Sequence, residues 1–211
     1  ADAVDGDEAR IAVYMRLSQL AEIDREAPEE AVDFMRSVLE IDSAHEDANA
    51  QLDRLLRGLE RWHDVVELYQ IRAEICAVQG DDAGELRLLA QAAELWEGQL
   101  DNPDEAAEML EKILVRDPNS VAALTRLAKI YESASDWERC SEILERALAL
   151  GPQGRDAADL YVRLGEVAKN KDGDEAKAQE HFGQALHFDG YHPVALERIE
   201  EAARGKDDWI L

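Results

Sequence analysis

Positive charge is scarce in this chain: Lys and Arg number 23 against 48 Asp and Glu, a formal net charge of −25. Such a surface repels phosphate backbones and anionic lipid, so neither nucleic acid nor a membrane surface is an expected partner. The acid keeps an elongated helical protein soluble, and it would attract a partner with basic segments. Cysteine is nearly absent. Cys76 and Cys140 stand far apart and in no CxxC pattern, which excludes a disulfide framework and a zinc ribbon. No apolar run approaches the roughly 18 residues of a membrane span, and a cytoplasmic location is the expectation. The chain starts at Ala1 without Met, however, so an export signal removed earlier is equally compatible. Gly (12) and Pro (5) are sparse while Ala, Leu and Glu abound, and 46% of the residues are hydrophobic. That composition favours helix throughout and a buried core.

Catalytic signatures are missing too. The sequence holds no GxSxG, P-loop or GxGxxG, and no Ser–His–Asp arrangement. His181, His187 and His192 cluster around Asp189, but His181 and His187 are six apart and diverge around a helix instead of pairing at i, i+4. We therefore expect no enzyme, no catalytic residue, no cofactor and no metal.

What the chain does have is a repeat. Asp42 precedes Trp62, Asp117 precedes Trp137 and Asp189 precedes Trp209, each by twenty residues. Between them the same offsets carry Ala48, Leu52 and Leu56, then Ala123, Leu127 and Tyr131, then Ala195, Ile199 and Ala203. Steps of four place each set on one helix face. The unit recurs after 75 and then 72 residues, and it divides again into two helix pairs. First-helix anchors are Leu17, Leu52, Ala92, Leu127, Leu164 and Ile199. The following residue is small in four of six cases (Ser18, Ala93, Ala128, Gly165), as close helix approach needs; Asp53 and Glu200 break the rule, and Asn49 replaces a bulky residue. Second helices carry Ala31, Val65, Ala106, Cys140 and Ala178 at a matching small or β-branched position.

Boundary signals agree with this division. Ser43 to Glu46 and Ser135 to Glu138 read as capping boxes; Ala27-Pro28, Asn102-Pro103 and His192-Pro193 start helices; Gly80, Gly151 and Gly190 stop them. The expected helices are 7–24, 28–41, 45–58, 61–78, 83–99, 103–115, 119–133, 136–149, 156–169, 175–187 and 193–204. The linkers are short, so neighbours run antiparallel. The expectation is an all-α solenoid in one domain over 1–211, with repeats 7–42, 43–80, 81–117, 118–152, 153–189 and a partial one at 190–211.

This pattern resembles the tetratricopeptide repeat (TPR), a degenerate bacterial-type version of it. Leu124, Leu127, Ala128, Tyr131, Cys140, Leu144, Ala147 and Pro152 follow its signature, and so do Leu89, Ala92, Ala93, Trp96, Ala106, Leu110, Ile113 and Pro118. A third repeat gives Tyr161, Leu164, Gly165, Ala178, Phe182 and Ala185. The resemblance implies a right-handed superhelix of stacked pairs whose first helices line a concave groove. Concave positions would include Arg54, Arg57, Arg87, Glu94, Lys129, Glu166 and Lys169, with Thr125, Glu132 and Asp159 among their neighbours. The clamp by which one subclass grips a C-terminal carboxylate is absent, since its positions hold Ala90/Glu94, Thr125/Lys129 and Val162/Glu166.

The resemblance implies a non-catalytic scaffold that binds a partner protein or peptide in that groove. Two rivals stay open: a substrate-recruiting region of a larger enzyme, and an assembly scaffold of the half-TPR kind found in RNA processing. Arg-over-Lys usage and abundant Ala point to a high-GC bacterium. Asp207 to Leu211 begin a second helix and then stop, so the array is expected to continue and its open end to allow self-association.

Overall fold

The computed structural model describes residues 2–23 and 26–207. Eleven helices and no strand occur among them: α1 (Asp2–Ile23), α2 (Pro28–Ile41), α3 (Glu46–Gly58), α4 (Trp62–Gln79), α5 (Asp82–Gly98), α6 (Pro103–Arg116), α7 (Val121–Ser133), α8 (Trp137–Ala149), α9 (Gly154–Asp172), α10 (Glu175–Phe188) and α11 (Pro193–Asp207). The order is the one that the periodicity predicts. The largest departures are an earlier start for α1 and a longer α9, which ends at Gly173 in the left-handed region (φ 63°) and not near Lys169. The chain forms two compact units, Ala1–Met109 and Leu110–Leu211, with the division inside α6.

In unit 1, α1 packs on α2, α2 on α3, α3 on α4 and α4 on α5. In unit 2, α7 packs on α8, α8 on α9, α9 on α10 and α10 on α11. Small residues set the closeness of these pairs. Ser18 is buried on α1 and donates to the Ala31 carbonyl of α2 at 3.2 Å; the Cys140 thiol of α8 reaches the Ala128 carbonyl of α7 at 3.6 Å. A Cβ on Gly165 of α9 would lie 2.4 Å from the Phe182 ring of α10, so only glycine permits that approach. Phe182 joins Ala158, Val162, Ala168, Ala178, Ala185 and Ala195 in the core of unit 2.

The recurrent aspartates turn out to be corners. Each ends one helix pair and opens the next. Asp42, Asp117 and Asp189 donate their backbone N–H to the carbonyls of Val38, Ile113 and Ala185 at 2.8–2.9 Å. Their carboxylates accept from the N–H two residues on, at Ala44, Asn119 and Tyr191, at 3.1–3.2 Å. Both expected capping boxes are displaced, the first of them by this turn. His45, not Ser43, caps α3, its Nδ1 accepting from Ala48 N–H at 3.2 Å. Asp136, not Ser135, caps α8; Ser135 takes a positive φ (57°) in the preceding turn and its side chain has no access to the helix start. Asn102 caps α6 as expected, and His192 caps α11 ahead of the expected proline start, its Nδ1 accepting from Ala195 N–H.

Two irregular positions acquire a reason. Asp53 stands at a small-residue site and accepts from the Tyr69 hydroxyl at 2.7 Å and from Arg57 at 3.1 Å, so a polar contact replaces close packing between α3 and α4. Asn49 is buried, and its amide nitrogen donates to the Ser43 and His45 carbonyls at 3.1 and 3.0 Å. The expected anchor Leu17 is instead 37% exposed and Ile199 is half-buried; they lie on α1 and α11, the first and last helices. Trp62 and Trp137 begin α4 and α8 half-buried, while Trp209 lies outside the described residues.

Candidate functional site

The first helices α1, α3, α5, α7, α9 and α11 carry the residues that the groove reading singles out, and within each unit many are already engaged. Arg54 on α3 makes a bidentate pair with Glu22 on α1 at 2.6 and 2.7 Å. Glu22 is held below the ordinary carboxylate range, chiefly by that hydrogen bond. Glu166 on α9 accepts from Arg198 on α11 at 2.5 Å, and Glu132 on α7 from Arg163 on α9 at 2.7 Å. These three clasps share one geometry: a carboxylate on one first helix and a guanidinium 31 or 32 residues on, on the next. A bidentate or near-linear guanidinium–carboxylate pair holds orientation well, though half-exposed pairs add little stability. Arg163 and Arg198 were not singled out by sequence; a search for acid–arginine pairs one helix pair apart would have found them.

The other groove candidates divide between the units. Arg57 is turned inward to Asp53 and to the Tyr69 hydroxyl (2.6 Å), with its guanidinium 5.7 Å from the Tyr69 ring centre. Arg87 and Glu94 are exposed on α5, and Lys129 is exposed on α7. Lys169 lies 3.8 Å from Glu175. The structure thus brings Arg54 and Glu166 into clasps with residues of neighbouring first helices.

Unit 2 has a groove of about 440 Å³ between α7, the end of α8 and α9. Val121 and Thr125 line one wall, Asp156, Asp159 and Arg163 the other, and Leu150 to Pro152 the end. Val121 is 53% and Leu150 38% exposed. Asp159 also accepts from the buried His192 ring at 2.8 Å; since His192 Nδ1 accepts from Ala195, the proton sits on Nε2.

On the second-helix side, each unit carries one further cleft, and the two correspond. The unit 1 cleft, about 360 Å³, lies among α2, α3 and α4; the unit 2 cleft, about 300 Å³, lies among the later part of α6, α7 and α8. Every residue lining the second is 75 positions beyond one lining the first. Leu39 and Leu114, Leu52 and Leu127, and Leu68 and Ile143 form matching apolar walls. Glu67 and Glu142 match as well, and the remaining positions differ in kind. Leu56 is replaced by Tyr131, whose hydroxyl donates to Glu111 at 2.7 Å and whose ring lies 4.5 Å under the Arg139 guanidinium. Burial and the Glu111 bond push the Tyr131 phenol up to about 12. The charges are reversed as well: Arg36, Arg61 and Asp64 of unit 1 become Glu111, Asp136 and Arg139. Asp64 pairs with Arg36 (3.2 Å) and Arg61, and Arg139 with Asp136 (2.6 Å).

Chemical groups with other uses are not apparent in these clefts. Among the described residues no group of three His, Cys, Asp or Glu is placed to hold a metal ion, and no helix is long and apolar enough to cross a membrane. Burial raises the Cys140 thiol to about 12, so it packs as a small apolar group.

Paired helices, small residues at their crossings, aspartate corners at fixed intervals and a cleft repeated at the same interval define an α-helical repeat protein. Residues 99–165 match the tetratricopeptide repeat family model. Solved structures with a similar fold include YrrB, described as a TPR protein with an unusual peptide-binding site, 17% identical over 94% of this chain and 96% of YrrB with a TM-score of 0.54. They also include MamA, 16% identical over 92% of this chain and 94% of that one (TM-score 0.51), and MamA from residue 41 onward of Desulfovibrio magneticus RS-1, 18% identical over 87% and 97% (TM-score 0.50).

Proposed function

We propose that this chain is a non-catalytic scaffold that binds a partner protein or peptide on its first helices. The observation that carries this reading is the groove of about 440 Å³ between α7 and α9, where exposed Val121 and Leu150 sit beside Asp156 and Asp159. An exposed apolar strip bordered by carboxylates suits a peptide that offers an apolar side chain and a basic one. The peptide-binding site of YrrB supports the reading as a case of this architecture carrying one. The clasps refine the expected contact set. Arg54 and Glu166 hold neighbouring first helices in place, whereas exposed Lys129, one turn from Thr125, remains available to a partner.

Site-specific photo-crosslinking tests this. A photoreactive residue at Thr125 should trap a discrete partner in lysate of the producing cell, and the same residue at Val78, which is 89% exposed on α4, should not. Val121→Arg with Asp156→Arg should lower capture by about tenfold or more while leaving the melting curve unchanged. Equal capture from both positions, or capture indifferent to the double substitution, would remove the groove from the mechanism.

A further inference from the structure

The cleft on the second-helix side of unit 1 is a separate surface, and three observations there point to an occupant. The first is an unmet hydrogen bond. Asn49 lines the cleft and is 4% exposed; because its amide nitrogen is committed to two backbone carbonyls, its orientation is fixed and its buried Oδ1 is left as an acceptor with no donor. Unit 2 has Leu124 at that position, fully buried and without such a need. A buried carbonyl oxygen without a donor is rare in a native fold and calls for a partner.

The second observation is what unit 2 places at the same spot. There Tyr131 supplies an aromatic ring with a donor hydroxyl, and Arg139 covers it. Unit 1 has Leu56 for the ring, and Ile71, 48% exposed, where unit 2 has Arg146. The chain thus shows in one unit the kind of group that the other leaves out. The third observation is charge. Glu40 and Glu67 are exposed on the rim of the cleft, and neither pairs with a cation among the described residues, while Asp64 is already held by Arg36 and Arg61. With a net charge of −25, a second copy of this chain would be repelled and a basic segment attracted.

We propose that the cleft among α2, α3 and α4 docks a basic partner segment through one tyrosine or tryptophan side chain, its O–H or N–H donating to Asn49 Oδ1 and neighbouring lysines or arginines meeting Glu40 and Glu67. Aromatic residues with a polar handle suit such a site because they bury a large apolar area and still bring a donor. This site is independent of the α7–α9 groove and stands or falls separately.

The test uses the full chain, isotope-labelled at methyl and side-chain amide groups, and three capped tripeptides followed by NMR: Lys-Trp-Lys, Lys-Leu-Lys and Glu-Trp-Glu. Lys-Trp-Lys should shift the Ile71 and Leu52 methyls and the Asn49 side-chain amide saturably. Lys-Leu-Lys should bind about tenfold more weakly, for want of the ring and the donor. Glu-Trp-Glu should give no saturable shift. Ile71→Arg, a change at an exposed position, should weaken Lys-Trp-Lys by about tenfold or more, and Asn49→Leu should erase the preference for tryptophan over leucine. Val121→Arg should leave all three results as they are. Absence of saturable shifts at the cleft overturns the proposal, as does equal binding of the three peptides or indifference to Ile71→Arg. Shifts of Ile71 that follow protein concentration without peptide, together with a dimer mass in ultracentrifugation, would assign the cleft to a second copy and overturn it too.

Discussion

The two second-helix clefts are built on the same backbone plan 75 residues apart and are similar in size, about 360 and 300 Å³, yet their polar groups are satisfied differently. In unit 2 the Tyr131 hydroxyl satisfies Glu111 and the Arg139 guanidinium lies over the ring. In unit 1 the matching positions hold Leu56, Arg36 and Asp64, and Asn49 brings an acceptor that nothing meets. Repeat architecture fixes where a cleft falls, through helix spacing and the aspartate corners; single side chains then decide whether it is internal filling or a place for something else.

The largest expected effect comes from moving the polar residue between units. Leu124→Asn places an amide at a fully buried apolar site and should cost about 3 kcal/mol in chemical denaturation. Asn49→Leu should change stability by less than about 1 kcal/mol, since it removes an unmet acceptor along with two donated bonds. Equal costs would mean that the two sites are not different in kind. Tyr131→Phe, which keeps the ring and deletes the bond to Glu111, should cost about 1–1.5 kcal/mol by the same measurement.

A charge exchange sharpens the comparison next. Asp64→Arg sets a third cation beside Arg36 and Arg61 and should lose about 0.5–1 kcal/mol in this partly exposed setting. Adding Arg36→Glu and Arg61→Asp copies the polarity of unit 2 and should recover most of the loss; a mutant cycle that gives simple additivity would show that the triads are not coupled. The smallest effect is on pH dependence. The Tyr131 phenol is harder to ionise in the folded chain than its ordinary value of 10.0 allows, being raised to about 12 by burial and then by Glu111. The stability it contributes is complete below pH 10 and is lost as pH rises from 10 towards 12. Melting temperatures across that range should fall more steeply for the parent than for Tyr131→Phe.

Sequence reading reached most of the fold. Helix order and most boundaries follow from the four-residue steps and from Pro28, Pro103 and Pro193, whose fixed φ belongs at a helix start. The caps were off by one or two residues because Ser43 and Ser135 are good capping types that happen to stand inside the preceding turns, where the aspartate corner and a positive φ put them out of reach. The site was less accessible. Helical phase placed Arg54 and Glu166 on first-helix surfaces, but not their clasps, because Glu22 and Arg198 lie 32 residues away and meet them only through helix stacking. The clefts could not be read at all. A void depends on the difference between neighbouring volumes, and the irregularity at Asn49 gave no sign that its carbonyl would be left without a donor.

The reversed charges carry a consequence for how such a chain could be recombined. Arg36 with Arg61 and Asp64, and Glu111 with Asp136 and Arg139, each span a helix pair and the helix before it. A crossover that moved α2 through α4 as a block, in exchange for α6 through α8, would carry each triad intact. One that cut between α2 and α3 would set Arg36 against Arg139, and Glu111 against Asp64. Duplicated segments marked in this way are no longer interchangeable parts, and the chain holds in its own charge pattern a record of which helices belong together.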